Sequence, residues 1–287
     1  MITGTTKLLA LFGDPVEKTK SPLIHNTLAE LSGQDVSYMA FRVEKKEPED
    51  LSALLRGVYN MGALGFNVTV PLKSLMIPHL VDIDVLAKQI GAVNTLVRVE
   101  EKGGYKGYNT DVIGLKRDLL AHGVALREKD VILLGAGGAS RAAAFLAASE
   151  GAKSIRIANR TLQKAQELAE SVRQDYPDCD VTAIPLSEAG LIPDGSIAIQ
   201  CTSVGFIGNE EASPVTDEAF FRKLSFAYDI IYHPEETRFL ALAKEANVPC
   251  ANGMGMLLWQ GIAAFEYWTG EEITAEAAEV VRKRLFA

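Results

Sequence analysis

Val131-Ile-Leu-Leu-Gly135-Ala-Gly137-Gly138-Ala-Ser140 decides the fold. Four apolar residues in a row read as a buried strand, the small residues after them as a tight turn, and Ala142–Glu150 as the helix that follows. That order carries chemistry. Glycines let a pyrophosphate approach backbone N–H groups at a helix N-terminus, where those donors have no partner within the helix. A glycine triplet alone marks only a tight strand-to-helix turn, but the strand before it and the helix after it point to a dinucleotide. Gly135, Ala136, Gly137, Gly138 and Ala139 are the candidate contacts. The third fingerprint position is Ser140 rather than glycine, still small enough for close helix–strand packing.

Working outward, Ser154–Ala158 and Ile197–Cys201 are further short apolar runs, with a helical stretch at Leu162–Asp175. Such alternation predicts a parallel, doubly wound sheet. Tyr228–Tyr232 reads as another strand and Thr237–Ala246 as a helix. The tail, Met256–Trp268 and Ala275–Leu285, is helical without intervening strands. The end of the second strand chooses the cofactor. An NAD site places a carboxylate there to hold the ribose 2′-hydroxyl. Here stand Asn159-Arg160-Thr161, with Lys164 about one helical turn later. A guanidinium is a planar, always-charged fork suited to the 2′-phosphate of NADP. Thr161 also suits a helix cap with Arg160 in solvent, and both roles are compatible.

The N-terminal part has a different pattern. Leu8–Phe12 reads as a buried strand ending at Gly13-Asp14-Pro15, followed by a helix from Pro22 to about Leu31 with Ser21 as its cap. Tyr38–Val43 alternates like a strand, Leu51–Tyr59 is apolar at helical spacing, and Ala92–Val99 is a strand. Gly103-Gly104 turns the chain into Tyr105–Tyr108. Within this region lies Asn67-Val-Thr-Val-Pro-Leu-Lys73. As a strand it puts Asn67 and Thr69 on one face and Val68 and Val70 on the other, stopping at Pro71, which has no N–H to donate. Lys73 follows the strand end, and a short helix comes after Pro71. An amide, a hydroxyl and an ammonium together can grip a polyol and move a proton. Taken alone, the segment fits better a half-solvated edge strand with a surface lysine. Asp111, before a helix starting near Val112, suits an N-cap equally well.

The bulk properties exclude several classes. The chain has 287 residues, 48% hydrophobic and 23% charged, with a formal net charge of −8. An acidic chain lacks the basic face of a nonspecific nucleic-acid binder. Cys179, Cys201 and Cys250 are scattered, and with His25, His79, His122 and His233 they show no metal-ligand spacing, so neither a disulfide framework nor a metal site is expected. A cytoplasmic setting is the simplest, and Leu8–Phe12 is too short for a signal core or a membrane span. The partners expected are small molecules, with no nucleic acid and no membrane.

Thr19-Lys20-Ser21, Asn67-Val-Thr69, Lys73, Gly91-Ala-Val-Asn94-Thr, Gly107-Tyr-Asn109-Thr-Asp111 and Gly253-Met-Gly-Met256…Gln260 form one set with the glycine turn and Asn159-Arg160-Thr161. Over essentially the whole chain this set resembles the shikimate dehydrogenase family. The resemblance implies an α/β fold of two domains: a substrate domain over 1–111, an NADP-binding Rossmann domain over 112–252, and C-terminal helices over 253–287 returning to the substrate domain, with the site between. It implies reversible hydride transfer between NADPH and 3-dehydroshikimate, giving shikimate on the route to chorismate and aromatic amino acids. By position, Thr19 and Ser21 hold the substrate carboxylate, with Tyr232 a further contact. Asn67, Thr69, Asn94, Asp111 and Gln260 hold ring hydroxyls, and Lys73 with Asp111 form the catalytic pair. Thr202, Ser203 and Gly253 lie along the cofactor, and Met256 lies near the nicotinamide. The chain is expected as a monomer or a homodimer.

Three positions depart from the family pattern. Thr19 stands where serine is common, which keeps the hydroxyl and adds a methyl. Lys164 stands where arginine often helps hold the 2′-phosphate, replacing a fork by a point charge. His233 stands where asparagine is frequent, and nothing in the sequence explains it. The competing readings are an NAD-preferring quinate/shikimate dehydrogenase, which Arg160 opposes, and a non-catalytic shikimate-sensing protein, which has no need of both Lys73 and Asp111.

Overall fold

The computed structural model describes residues 2–285. They divide into two compact units, one formed by residues up to Gly114 together with those from Leu258 onward, the other by Leu115–Leu257. The chain passes from one unit to the other within helices α5 (Thr110–Ala121) and α10 (Met254–Thr269).

The first unit runs β1 (Lys7–Gly13), α1 (Ser21–Ser32), β2 (Val36–Arg42), α2 (Pro48–Asn60), β3 (Gly65–Val68), α3 (Leu72–Leu75), β4 (Asp82–Ile83), α4 (Val85–Ile90), β5 (Thr95–Val99) and β6 (Gly104–Tyr108), and ends with α11 (Ala275–Leu285). The strands form one mixed sheet in the order β2-β1-β3-β5-β6-β4. β1 pairs in parallel with β2 and β3, whereas β5 is antiparallel to β3 and β6. Phe12, Phe66 and Tyr105 bury one face against Leu51, Leu55 and Val58 of α2. Leu9, Leu11 and Tyr38 bury the other against Ala264 and Trp268 of α10. Both faces of the sheet are therefore dry at β3.

That burial corrects the alternation expected for Asn67–Val70. β3 ends at Val68, lies between β1 and β5 rather than at an edge, and has all four of its residues buried. Thr69 has left the strand: its N–H donates to Phe12 O at 2.9 Å, and its own carbonyl accepts from Leu72 N at 2.7 Å as the chain turns into α3. The cap expected at Ser21 is also displaced. α1 begins at Ser21 itself, and Ser21 N donates to Thr19 Oγ1 at 3.2 Å. Asp111 likewise sits in the first turn of α5 rather than before it. The strand expected from Ala92 starts at Thr95, because Asn94 turns its side chain toward Thr110.

The second unit continues with β7 (Asp130–Leu134), α6 (Gly138–Ser149), β8 (Ser154–Asn159), α7 (Leu162–Asp175), β9 (Asp180–Pro185), β10 (Ser196–Gln200), α8 (Glu218–Arg222), β11 (Leu224–Asp229), α9 (Arg238–Glu245) and β12 (Cys250–Asn252). All five pairings are parallel, in the order β12-β11-β10-β7-β8-β9. This is the doubly wound sheet expected from the apolar runs, and its order reverses between β7 and β10, where such sheets bind ligands. The strand expected at Tyr228–Tyr232 lies earlier. Asp229 ends it, because Ile231 N folds back to donate to Asp229 Oδ1 at 2.9 Å.

Candidate active site

In the first unit, Lys73 Nζ donates to Asp111 Oδ2 at 2.6 Å, the two side chains being 32% and 23% exposed. Each comes from a different element, Lys73 from α3 and Asp111 from α5, and buried polar groups bring them together. Asn94 Nδ2 donates to the other carboxylate oxygen, Asp111 Oδ1, at 2.9 Å. Asn94 Oδ1 accepts from Thr110 N at 2.8 Å, which fixes the amide's orientation because a backbone N–H only donates. The main chain completes the frame: Val93 N donates to Lys73 O, Val68 N to Asn94 O, and Asn94 N to Tyr108 O, each at 2.9 Å. An ammonium and a carboxylate held in contact, both reachable by solvent, form a group that can hand a proton to an oxygen and orient it.

Asn67 is joined to the same network. Its Nδ2 donates to Asn94 O and to Thr95 Oγ1, both at 3.0 Å, and its Oδ1 accepts from Tyr38 Oη at 2.7 Å. Thr69 is half-buried beside β3. Thr19 Oγ1 donates to Ser21 Oγ at 3.1 Å, so these hydroxyls form one small cluster at the start of α1. Gln260 is half-buried on α10.

In the second unit, the glycine turn joins β7 to α6. Gly135 has φ +113, outside the comfortable range of residues with a Cβ, and an added Cβ there would lie 3.0 Å from the Thr202 methyl. Gly137 and Gly138 are exposed, with no heavy atom within 4 Å of where a Cβ would stand. Gly137 is the N-cap of α6, no side chain caps that end, and its first turn carries no acid. Ser140 Oγ donates to Gly135 O at 2.5 Å, closing the turn from within. This is open backbone at a helix N-terminus, which fits a dinucleotide pyrophosphate. Arg160 and Lys164 are exposed at and beyond the end of β8, and among the described residues neither makes an ion pair. Asn159 Nδ2 donates to Thr161 O at 2.9 Å, and Thr161 is the N-cap of α7 without a side-chain capping bond. Two exposed cations that make no ion pair among the described residues fit a 2′-phosphate.

The remaining predicted residues stand on loops that a buried pair organises. Gln200 Oε1 accepts from Thr202 N at 2.5 Å, and Gln200 Nε2 donates to Val204 O at 3.1 Å and Asp229 Oδ1 at 3.3 Å. Asp229 Oδ2 accepts from Thr237 Oγ1 at 2.6 Å. Burial pushes the Asp229 carboxyl up to about 6, against the opposing hydrogen bonds from Thr237, Ile231 and Gln200. Thr202 and Ser203 follow this anchor on one side and the exposed Tyr232 on the other. Gly253 N donates to Ile231 O at 3.1 Å. Met256 lies in the first turn of α10, where its backbone bonds to the buried Asp118; burial raises that carboxyl, and Tyr228 Oη donates to Asp118 Oδ2 at 2.6 Å.

The sequence reading missed this supporting layer: Tyr38, Thr95, Thr110, Gln200, Asp229, Asp118 and Tyr228. A signal existed for some. Gln200 and Asp229 stand at the ends of otherwise apolar runs, where a polar residue must find partners if the sheet is buried.

Comparison with known proteins agrees with this picture. The family model described as shikimate dehydrogenase substrate binding domain matches residues 11–96, that of shikimate / quinate 5-dehydrogenase matches 118–213, and that of shikimate 5'-dehydrogenase C-terminal domain matches 253–285. The shikimate dehydrogenase (NADP(+)) of Caldanaerobacter subterraneus subsp. tengcongensis is 43% identical over 271 residues, 94% of each chain. Among solved structures, shikimate 5-dehydrogenase from Listeria monocytogenes, in complex with shikimate and NAD, is 30% identical with a TM-score of 0.91, covering 99% of this chain and 98% of that one. The Thermus thermophilus enzyme, in complex with NADP(H) and shikimate, is 34% identical with a TM-score of 0.82, covering 97% and 99%. With its mixed sheet, its doubly wound sheet and the matched motifs in each, the chain belongs to the shikimate dehydrogenase family.

Proposed function

We propose that the chain is an NADP-dependent shikimate dehydrogenase, reversibly reducing 3-dehydroshikimate to shikimate. The single observation that carries this reading is the Lys73–Asp111 contact held by Asn94. Lys73 donates a proton to the alkoxide that develops as the ketone is reduced, and its positive charge stabilises that oxygen. Asp111 keeps the ammonium oriented, and in the oxidative direction the pair takes the hydroxyl proton back. The 2.6 Å contact joins the two side chains into one proton-handling site. Thr19, Ser21 and Tyr232 bind the substrate carboxylate, and Asn67, Thr69, Asn94 and Gln260 bind ring hydroxyls. Residues 1–111 with 253–287 form the substrate domain in this reading.

NADPH, when bound, supplies the hydride. Gly135, Ala136, Gly137, Gly138 and Ala139 would receive its pyrophosphate, and Asn159, Arg160, Thr161 and Lys164 its adenosine ribose and 2′-phosphate. Thr202, Ser203, Gly253 and Met256 would line the rest, within 112–252 and the start of α10. Free, scattered cysteines support a reducing, cytoplasmic setting. Initial rates with shikimate and with quinate, each with NAD and NADP, test the proposal. Turnover of shikimate with a clear NADP preference is expected. An NAD preference would overturn the cofactor assignment, and shikimate binding without turnover would favour a sensor.

A further inference from the structure

Tyr38 stands behind the proposed substrate residues, and several contacts hold it in one place. It lies on the edge strand β2, and its backbone is clamped by one side chain: Asn26 Nδ2 donates to Tyr38 O at 3.0 Å, and Tyr38 N donates to Asn26 Oδ1 at 2.9 Å. Its ring stacks on His25, with centroids 4.2 Å apart, and tilts over Trp268 at 6.0 Å. His25 is buried with neither ring nitrogen hydrogen-bonded, and burial brings its pKa down to about 3, against a smaller opposing influence of Asn67. It is a neutral aromatic wall at any physiological pH. Tyr38 itself is 2% exposed, so a bound ligand does not reach it. Burial pushes its phenol well above its ordinary pKa, so the hydroxyl keeps its proton; Ser21 opposes this weakly.

That proton goes to Asn67 Oδ1 at 2.7 Å. The amide cannot face the other way. Asn94 O only accepts, so Nδ2 of Asn67 must point at it, and Oδ1 must point at Tyr38. Nδ2 also donates to Thr95 Oγ1, so both amide protons are committed within the protein. With both amide protons committed, Asn67 can act toward a further group only through Oδ1, as an acceptor. We propose that Tyr38 is a positioning residue that acts through Asn67, holding from the Oδ1 side an amide that Asn94 O and Thr95 already turn to present an acceptor alone, so that the substrate must bring a donating ring hydroxyl to that place. The inference rests on the proposed function, and it adds a specificity rule that the family resemblance does not contain.

Tyr38→Phe removes only the hydroxyl. It leaves Asn67 Oδ1 short of a partner in a dry environment, with the amide held from its Nδ2 side alone. The expected result is a rise of about five- to fifty-fold in the shikimate Kd by calorimetry, and in its KM, the range of one lost hydrogen bond. The kcat should stay within about threefold and the KM for NADP should not change. In an Asn67→Ala background, Tyr38→Phe should add less than about twofold, because its effect passes through that amide. A purely structural role would lower both substrate affinities and would persist in the Asn67→Ala background, which would overturn the proposal. An independent measurement uses the wild-type protein with shikimates in which each ring hydroxyl is replaced in turn by hydrogen or by fluorine, which accepts but cannot donate. At one ring position fluorine should be no better than hydrogen. Fluorine restoring affinity at every position would overturn the proposal while leaving the activity intact. Failure of the wild-type protein to bind or oxidise shikimate would instead overturn the proposed function and this inference with it.

Discussion

Asn67, Asn94 and Asp111 are hydrogen-bonded to one another, to neighbouring side chains and to the main chain, whereas Gly137 and Gly138 meet no side chain and Arg160 and Lys164 make no ion pair among the described residues. The substrate side is thus built from buried side chains that are already oriented. The cofactor side is built from bare backbone donors and exposed cations that wait for a polyanion. The contrast follows from the ligands. The ring hydroxyls of the proposed substrate are uncharged and offer weak handles, so each donor and acceptor must be held in place beforehand to give affinity and direction. A pyrophosphate and a 2′-phosphate carry charge that attracts from a distance and tolerates flexible partners such as Lys164. A change at Lys73 or Asp111 should therefore disturb chemistry, and a change at Arg160 or Lys164 should disturb affinity.

The strongest way to break that contrast is Lys73→Ala. It should lower kcat by about 10²–10⁴-fold, the usual worth of a positioned acid–base group, with KM changing far less. Steady-state kinetics that show mainly a KM effect would contradict the assignment of Lys73 to the chemistry.

Next comes the share of the pH dependence of stability that Asp229 sets in the second unit, where the loops hang on its buried carboxyl. The folded pKa of Asp229, about 6, lies above the ordinary 3.8. Between these values the folded state binds the extra proton, so the contribution is fully present below about pH 3.8 and is lost as pH rises through about 6. The shift corresponds to about 3 kcal/mol. Asp229→Asn should remove that slope, so urea unfolding from about pH 4 to 7 should show the variant gaining on the wild type as pH rises. A constant difference between the two would show that Asp229 does not titrate in this range.

Arg160→Ala should raise the KM for NADP by about ten- to hundredfold, one charge-assisted hydrogen-bonding partner, and leave the KM for NAD unchanged. Equal losses with both cofactors would remove Arg160 from recognition of the 2′-phosphate. The smallest effect separates capping from cofactor binding. Thr161 makes no side-chain capping bond, so Thr161→Ala should cost less than about 0.5 kcal/mol in thermal or urea unfolding. A loss near about 2 kcal/mol would mean that Thr161 is a working cap after all.

Legibility in the sequence followed the same division. The glycine turn could be read because its function lies in the backbone, and glycine is the direct signature of a backbone that must pass close to something. α7 and α11 have the bounds expected from their periodicity, Leu162–Asp175 and Ala275–Leu285. Asn67–Lys73 misled as a pattern: β3 ends at Val68, so Thr69 and Val70 lie outside it, and the strand is buried on both faces. Its neighbours in space, Tyr38, Asn94 and Asp111, lie far from it along the chain, so no local spacing joins them. Asp229 and Gln200 were passed over because a polar residue at the end of an apolar run also suits a turn.

The sequence by itself determined the order of elements in the dinucleotide-binding unit, the absence of a carboxylate beside Arg160 and, through its motifs, the family. These are local properties, in which neighbours along the chain are neighbours in space. Only the tertiary structure showed the contact between Lys73 and Asp111, that Asn94 holds it, and that Tyr38 bonds to Asn67 from behind. Each of those contacts joins separate elements, and the burial that makes them strong exists only once the sheet and its helices have excluded water.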